Sequence, residues 1–354
     1  MFIDFAKAFD SIDHRILLKK LEKYGIRGLP LQLITSYLTD RKQTVRIGSS
    51  ISSECIINRG VPQGSVLGPL YFLIFVNDMP RYLSNSYSIL FADDCTLCYR
   101  GQSLNSTIEL CNSELKKLHD WTISNKLTIN FDKTYFMIVT NRNVSQFNQV
   151  MINGIAIERT YTHKFLGVNI DSGLKFNAHI AEISSKISKS CGVLYRMSNY
   201  LPSATLRSLY FSFIHSYLEY SNIVWGGTFD SYLLPLFRLQ KKSIRNVCKA
   251  GYLDHTQPLF LEKKILKLQD IHKYNLACYV FRNFSVFQSN PSNYATRNSS
   301  NLSSTFQRLF ICQRSTSYLG PHIWNGLPDE VKNNTEYKKF KREVKIYLLS
   351  SYGD

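Results

Sequence analysis

What the sequence lacks sets the first limits. Its longest apolar run, residues 66–76, is broken by Gly68-Pro69 and falls short of the roughly 20 residues a membrane-spanning helix needs. The N-terminus, Met1-Phe2-Ile3-Asp4, has no basic segment followed by an apolar stretch, so it does not read as an export signal. The eight cysteines follow no framework spacing. One C-x-x-C, Cys95 and Cys98, has no second C-x-x-C or H-x-x-x-H to complete a zinc site, and strand alternation would turn its thiols to opposite faces. Reduced thiols in an intracellular, non-secreted protein without a membrane segment are the expectation. Acidic residues are also scarce. Against 43 Lys and Arg stand 26 Asp and Glu, and the net charge of +17 calls for an anionic partner, either nucleic acid or an acidic membrane surface.

Apolar residues, by contrast, are plentiful at 44%, which excludes wholesale disorder, and 354 residues suffice for two or three packed units. Most of the 22 Tyr and 22 Phe are expected in the core, because aromatic rings dominate core burial. Residues 2–5 read as the end of a buried strand. Asp13 is placed to cap a helix running to Tyr24, with Gly25 closing it. Pro30 opens a second helix to about Leu38. Residues 44–47 and 53–57 alternate as a hairpin around Gly48-Ser49-Ser50. Residues 66–77 form an apolar helix entered from a Gly-Pro-Gln-Gly turn, and 107–125 an amphipathic one. Short strands are expected at 88–91, 96–99 and 135–140, and two more between 151 and 171. After Ala178 the pattern turns helical and basic, with Lys186, Lys189, Arg196, Arg207, Arg238, Lys241, Lys242 and Arg245.

The most telling local feature is Asp93-Asp94, at the tip of a hairpin between two apolar strands. Adjacent carboxylates repel, and a divalent cation with a preference for hard oxygen would relieve the repulsion. The pair would equally suit a solvated acidic turn, since turns favour Asp. Asp4 weighs on that choice, because it too ends an apolar strand. If the strands are neighbours, Asp4 and Asp93 share a metal pair, and two ions about 4 Å apart would clamp the attacking and leaving oxygens of an in-line displacement, as in polymerases and nucleases.

Five stretches in order carry a family resemblance. Phe2-Ile3-Asp4-Phe5-Ala6-Lys7-Ala8-Phe9-Asp10-Ser11-Ile12-Asp13-His14 resembles the first palm motif of reverse transcriptases from non-LTR (LINE-type, jockey-like) retrotransposons. Gly60-Val61-Pro62-Gln63-Gly64-Ser65-Val66-Leu67-Gly68-Pro69 resembles the second, and Phe91-Ala92-Asp93-Asp94 the aromatic-x-Asp-Asp box of the third. Trp121, Asn125-Lys126-Leu127 and Asn130-Phe131-Asp132-Lys133-Thr134 are similar to the fourth, and Phe165-Leu166-Gly167-Val168 to the primer grip. The stretch from Leu319 to Pro328 is similar to the far C-terminal region of these elements, so the resemblance covers nearly the whole chain.

The resemblance implies an α+β fold, a palm with an antiparallel sheet backed by helices, followed by a mostly helical thumb-like region. The expected divisions are 1–175 for the palm with partial fingers and the primer-grip hairpin, 176–283 for the helical region, 284–304 for a linker and 305–354 for a small C-terminal unit. It also implies RNA-directed DNA synthesis, with two Mg²⁺ ions (or Mn²⁺) held by Asp4, Asp93 and Asp94. The partners would be an RNA template, a DNA primer or target DNA, and deoxynucleoside triphosphates. A nuclear protein with a cytoplasmic ribonucleoprotein stage follows from the same resemblance.

Individual roles are implied in the same way. Phe9 would lie under the incoming sugar and exclude a ribose 2′-hydroxyl by clash, or else be an ordinary core ring. Gln63 would contact the incoming nucleotide or the template base, on a turn for which Gly60 and Gly64 supply the geometry. Lys133 would protonate or hold the leaving pyrophosphate, unless it is a plain surface lysine. Phe165, Leu166 and Gly167 would meet the primer terminus, though they suit a core strand equally. Arg41, Lys42, Arg46 and the basic helices would track phosphates. Asp10 and Asp13 read as helix-start or solvent residues. Two other readings remain: a group II intron-type maturase, and a non-catalytic nucleic-acid-binding remnant. The family places a fingers segment before the first motif and commonly an endonuclease upstream. A chain opening at Phe2-Ile3 is expected to lack both and to extend primers weakly by itself.

Overall fold

The computed structural model describes residues 1–140, 144, 146–287, 301–303 and 306–352. It divides into two compact units, Met1–Tyr161 and Thr162–Asp354.

The first unit is built on a five-stranded sheet. Its strands are β1 (Phe2–Ile3), β6 (Tyr87–Phe91), β7 (Asp94–Cys98), β8 (Tyr135–Phe136) and β11 (Glu158–Arg159), in the order β11-β8-β1-β7-β6. Only the β8–β11 pair is parallel. The strand carrying Asp4 is therefore central in the sheet. Met1 adds to its anchoring, because its amino group donates to the Leu97 carbonyl at 2.9 Å and its carbonyl accepts from the Leu97 amide at 3.0 Å.

Helices back this sheet. In α1 (His14–Lys23), Asp13 caps the N-terminus by accepting from the amides of Arg15 and Ile16 at 3.0 and 3.1 Å, while Leu17 and Leu21, one turn apart, are fully buried. Gly25 follows with φ +93°, the left-handed conformation that ends a helix. In α2 (Leu29–Leu38), Pro30 occupies the first turn. Four short strands follow: β2 (Arg41–Gln43), β3 (Arg46–Ile47), β4 (Ser50–Ile51) and β5 (Cys55–Ile57). They pair β2 with β5 and β3 with β4, where the sequence suggested one continuous hairpin. The helix α3 (Leu67–Val76) buries Tyr71, Phe72, Phe75 and Val76, and α4 (Leu104–Ser124) buries Leu115, Leu118 and Trp121 in the same core. One further hairpin, β9 (Met151–Ile152) with β10 (Ile155–Ala156), turns at Asn153-Gly154, both at positive φ.

The second unit opens with a hairpin, β12 (Thr162–Phe165) and β13 (Val168–Asp171), and is otherwise helical. Two long helices, α5 (Asn177–Ser198) and α9 (Asp230–Cys248), pack along each other. Ile180, Ile183, Ile187, Cys191 and Leu194 line the buried face of α5 at helical spacing. Between them lie α6 (Ser203–Tyr210), a π-helical turn at Phe211–His215, α7 (Ser216–Glu219) and α8 (Asn222–Trp225). The chain continues through α10 (Thr256–Glu262), α11 (Leu268–Arg282), α12 (Phe310–Gln313), α13 (Thr316–Asn325), α14 (Asp329–Lys332) and α15 (Tyr337–Ser350).

The tail, expected as a separate unit, shares this core. Phe281 of α11 stacks on Phe340 of α15 at 4.4 Å, and Trp324 of α13 lies 5.6 Å from the same ring. The hairpin at 162–171 likewise belongs with these helices, since Asn169 and Lys164 both bond to Glu182 of α5. Residues 288–300 and 304 of the expected linker lie outside the described residues.

Candidate active site

The three aspartates converge at one end of the first unit's sheet. Strands β1 and β7 pair Phe2 with Thr96 and Ile3 with Cys95. One step further along this register, Asp4 lies opposite Asp94, and directly opposed residues share a sheet face. Asp93 occupies the two-residue turn with Ala92, closed by the Phe91–Asp94 pair. Ala92 takes φ +52°, a left-handed conformation that is unfavourable with a β-carbon and recurs at functional turns. The Asp94 carboxyl is raised above its ordinary value, first by desolvation at the hairpin end and then by the charges of Asp93 and Asp4, although the residue itself is exposed. The contributions of Asp93 and Asp4 show that both acids lie near Asp94. The sequence reading favoured Asp93 as the partner of Asp4; in the register, Asp94 faces it directly.

Asp4 is held by a loop that the sequence reading valued only for Lys133. Asn130 Nδ2 donates to Asp4 Oδ2 at 3.0 Å, and the Asn130 amide donates to the Asp4 carbonyl at 2.8 Å. Thr134, fully buried, offers its Oγ1 to the Asp4 amide at 3.4 Å. Lys133 is exposed on the short turn Phe131–Lys133 between these two. Asn130 stood inside the fourth motif, but nothing in the string marked it as a partner of Asp4.

The second motif docks on the first through its backbone. The Val61 amide donates to the Phe9 carbonyl at 2.9 Å, the Gly60 amide to the Ile12 carbonyl at 2.8 Å, and His14 Nε2 meets the Gly60 carbonyl at 2.6 Å. Gly60, at φ +82°, leaves no room for a side chain: a β-carbon there would come within 2.8 Å of Asp10 backbone atoms. Gly64 shares that φ but faces open space. Gln63, exposed, donates from Nε2 to Asp10 Oδ1 at 2.9 Å, so Asp10 is more than a solvent residue. Phe9 is half-buried, its ring 4.7 Å from Phe72 and tilted by 33°. Asp13 keeps its capping role and also pairs with Lys126 at 2.6 Å.

The remaining candidates, Phe165, Leu166 and Gly167, belong to the second unit. Leu166 and Gly167 form the turn of its hairpin at φ +44° and +81°, and Tyr220 fastens it by donating to the Leu166 carbonyl at 2.7 Å. Of the basic residues, Arg238 and Lys242 are exposed along α9, and Lys186, Lys189 and Arg196 along α5. Lys42 is paired with Glu54 at 2.7 Å. Cys95 is buried and Cys98 exposed, as strand alternation requires.

The family described as reverse transcriptase (RNA-dependent DNA polymerase) matches residues 1–170. That match covers 170 of the chain's 354 residues. Proteins of known naming agree. The chain is 29% identical over 280 residues to the RNA-directed DNA polymerase from mobile element jockey of Drosophila funebris, covering 76% of this chain and 30% of that one. It is 27% identical over 271 residues to the probable RNA-directed DNA polymerase from transposon BS of Drosophila melanogaster, covering 71% and 29%. Identity to the probable RNA-directed DNA polymerase from transposon X-element of the same fly is 27% over 278 residues, covering 76% and 30%. The chain thus spans about 30% of the length of these curated relatives.

The α+β architecture read from the sequence is the one found, an antiparallel-rich sheet with helices behind it, followed by a helical region. Reverse transcriptases as a family use divalent metal ions. The donor chemistry fits such ions, because three carboxylates at one sheet end are hard oxygen ligands in mutual repulsion. Among the described residues, no three His, Cys, Asp or Glu side chains close around a common point, so the donors are grouped without forming a cage. No helix among the described residues is long and apolar enough to cross a membrane.

Proposed function

We propose that this chain carries the nucleotidyl-transfer centre of an RNA-directed DNA polymerase of a non-LTR retrotransposon, adding deoxynucleotides to a primer 3′-hydroxyl on an RNA template. The observation that carries the reading is the convergence of Asp4, Asp93 and Asp94 at one end of the central sheet, inside a segment of the reverse transcriptase family. Asp4, Asp93 and Asp94 would hold the divalent ions, two Mg²⁺ or Mn²⁺. Bound there, such ions lower the energy of the charged transition state at the attacking and leaving oxygens.

The chain's own residues supply the rest. Phe9, braced by Phe72, limits the space at the sugar and excludes a 2′-hydroxyl. Gln63, its amide held by Asp10, contacts the nucleotide, with Gly64 giving an open approach beside it. Lys133 stabilises charge or delivers a proton at the pyrophosphate oxygen. Phe165, Leu166 and Gly167 form a primer grip, and the exposed cations of α5 and α9 track phosphates of the template, primer or target DNA. A nuclear protein that passes through a cytoplasmic ribonucleoprotein is the matching location. The domain scheme that goes with this function is a palm carrying partial fingers, then a helical thumb-like region. Primer extension by Asp4→Asn in a chain of the relatives' full length tests the reading. It should fall to background, and extension near the parent rate would refute the assignment.

A further inference from the structure

Every polar group of Asp4 except one meets the loop of residues 130–134. The carbonyl accepts from the Asn130 amide at 2.8 Å, the amide donates to Thr134 Oγ1 at 3.4 Å, and Oδ2 accepts from Asn130 Nδ2 at 3.0 Å. Thr134 Oγ1 also donates to the Asn130 carbonyl at 2.7 Å, which closes the network on itself. Two turn bonds brace it from behind, from the Lys133 amide to the Asn130 carbonyl and from the Thr134 amide to the Phe131 carbonyl, both at 3.3 Å. Among the described residues, Asp4 Oδ1 receives no hydrogen bond.

From this arrangement we infer that Asn130 is a positioning residue, which fixes Asp4 so that Oδ1 is the oxygen offered to a cation, and that Thr134 fixes Asn130. The inference rests on the cation-binding reading above. A carboxylate on a free side chain exchanges its two oxygens by rotation. A donor held on Oδ2 by backbone and hydroxyl bonds removes that freedom, and with it part of the ordering that binding would otherwise require. Partners of this kind behind a ligating carboxylate sharpen metal affinity, and their loss typically weakens it roughly 10–100-fold. The neighbouring β1–β7 ladder sets where Asp4 stands, and the loop sets how its carboxylate is turned. Because Lys133 lies between the two clamping residues, the same loop ties the position of that lysine to Asp4.

The test is Mn²⁺ binding by the full chain, followed by electron paramagnetic resonance of the free ion, with Mg²⁺ as competitor. Asn130→Ala and Thr134→Val should each weaken Mn²⁺ affinity, on the order of 10-fold or more. Thr134→Ser, which keeps the hydroxyl, should bind as the unsubstituted chain does. Val matches Thr in shape at this fully buried position, so the Val and Ser pair decides the matter even if Asn130→Ala fails to fold. Asp4→Asn is the reference. If it loses binding while Thr134→Val and Asn130→Ala keep full affinity, the clamp is refuted and the cation-binding reading stands. Unchanged binding in Asp4→Asn would overturn that reading and the inference with it.

Discussion

The side-chain amide of Gln63 donates to the Asp10 carboxylate at 2.9 Å, joining the second motif to the first across 53 residues of chain. A carboxylate only accepts, so Nε2 must face Asp10 and Oε1 must face away. In the proposed polymerase, Gln63 therefore presents an acceptor to the nucleotide. Asp10→Ala should let the amide rotate and weaken nucleotide binding by about 1 kcal/mol, the scale of one solvent-accessible hydrogen bond. In steady-state primer extension this is a several-fold rise in KM for the deoxynucleotide with kcat little changed. An equal fall in kcat and kcat/KM would mean that Asp10 acts on the chemical step instead.

Gly60 and Gly64 make a matched pair, because both sit at φ +82° and only Gly60 is crowded. Gly64→Ala should cost on the order of 1 kcal/mol, from the left-handed backbone alone. Gly60→Ala should cost about 1–3 kcal/mol more, since a β-carbon would come within 2.8 Å of the Asp10 backbone. Urea unfolding of both variants gives the comparison. Equal midpoints would show that the two loops are not held in close approach.

A pH dependence is expected in the second unit. Glu182 accepts from Lys186 at 2.6 Å, Lys164 at 3.0 Å and Asn169 at 2.6 Å, and these bonds, Lys186 first, hold its carboxyl down at about 2. A folded-state value below the unfolded one means the bonds stabilise the fold above the ordinary carboxylate range and lose that effect as pH falls towards 2. Both lysines are half-exposed, so the contribution is on the order of 1 kcal/mol or less. Thermal unfolding of Glu182→Gln beside the unsubstituted chain should show a deficit at pH 6 that narrows between pH 4 and pH 2. A deficit independent of pH would assign the loss to packing.

Sugar selection depends on Phe9, whose ring is braced by Phe72 rather than free to swing. Phe9→Ala should admit ribonucleotides, with discrimination falling by the equivalent of about 1–3 kcal/mol, the scale of a steric clash in a tight site. Competition between deoxynucleotide and ribonucleotide during extension measures it. Undiminished discrimination in a folded variant would make Phe9 a core residue.

Local signals carried much of this structure in plain view. Asp13 and Gly25 bracket α1 because a cap and a left-handed stop are properties of single residues, and Pro30 marks the first turn of α2 for the same reason. The Asp93-Asp94 hairpin was legible from two apolar runs and the short gap between them. What stayed hidden depends on long-range pairing. The central place of β1 comes from neighbours near residues 96 and 135, which its own two residues cannot announce. Asn130 on Asp4, Gln63 on Asp10 and Tyr220 on Leu166 are contacts between segments far apart in sequence, and the residue types alone suit many other surroundings. The grouping of the 162–171 hairpin with the helices after it follows from Glu182, an ordinary surface acid until its partners are known.

Primer extension and RNA binding, measured side by side for Asp93→Asn and the unsubstituted sequence in a chain of the relatives' full length, are the most direct measurement of all. Removing one acid from the convergent group should abolish extension on an RNA template with deoxynucleotides and Mg²⁺. RNA affinity, which comes from the basic surface and should fall steeply with salt, should be left nearly unchanged. Extension by Asp93→Asn near the parent rate, with RNA still bound, would contradict the assignment of a catalytic centre to Asp4, Asp93 and Asp94.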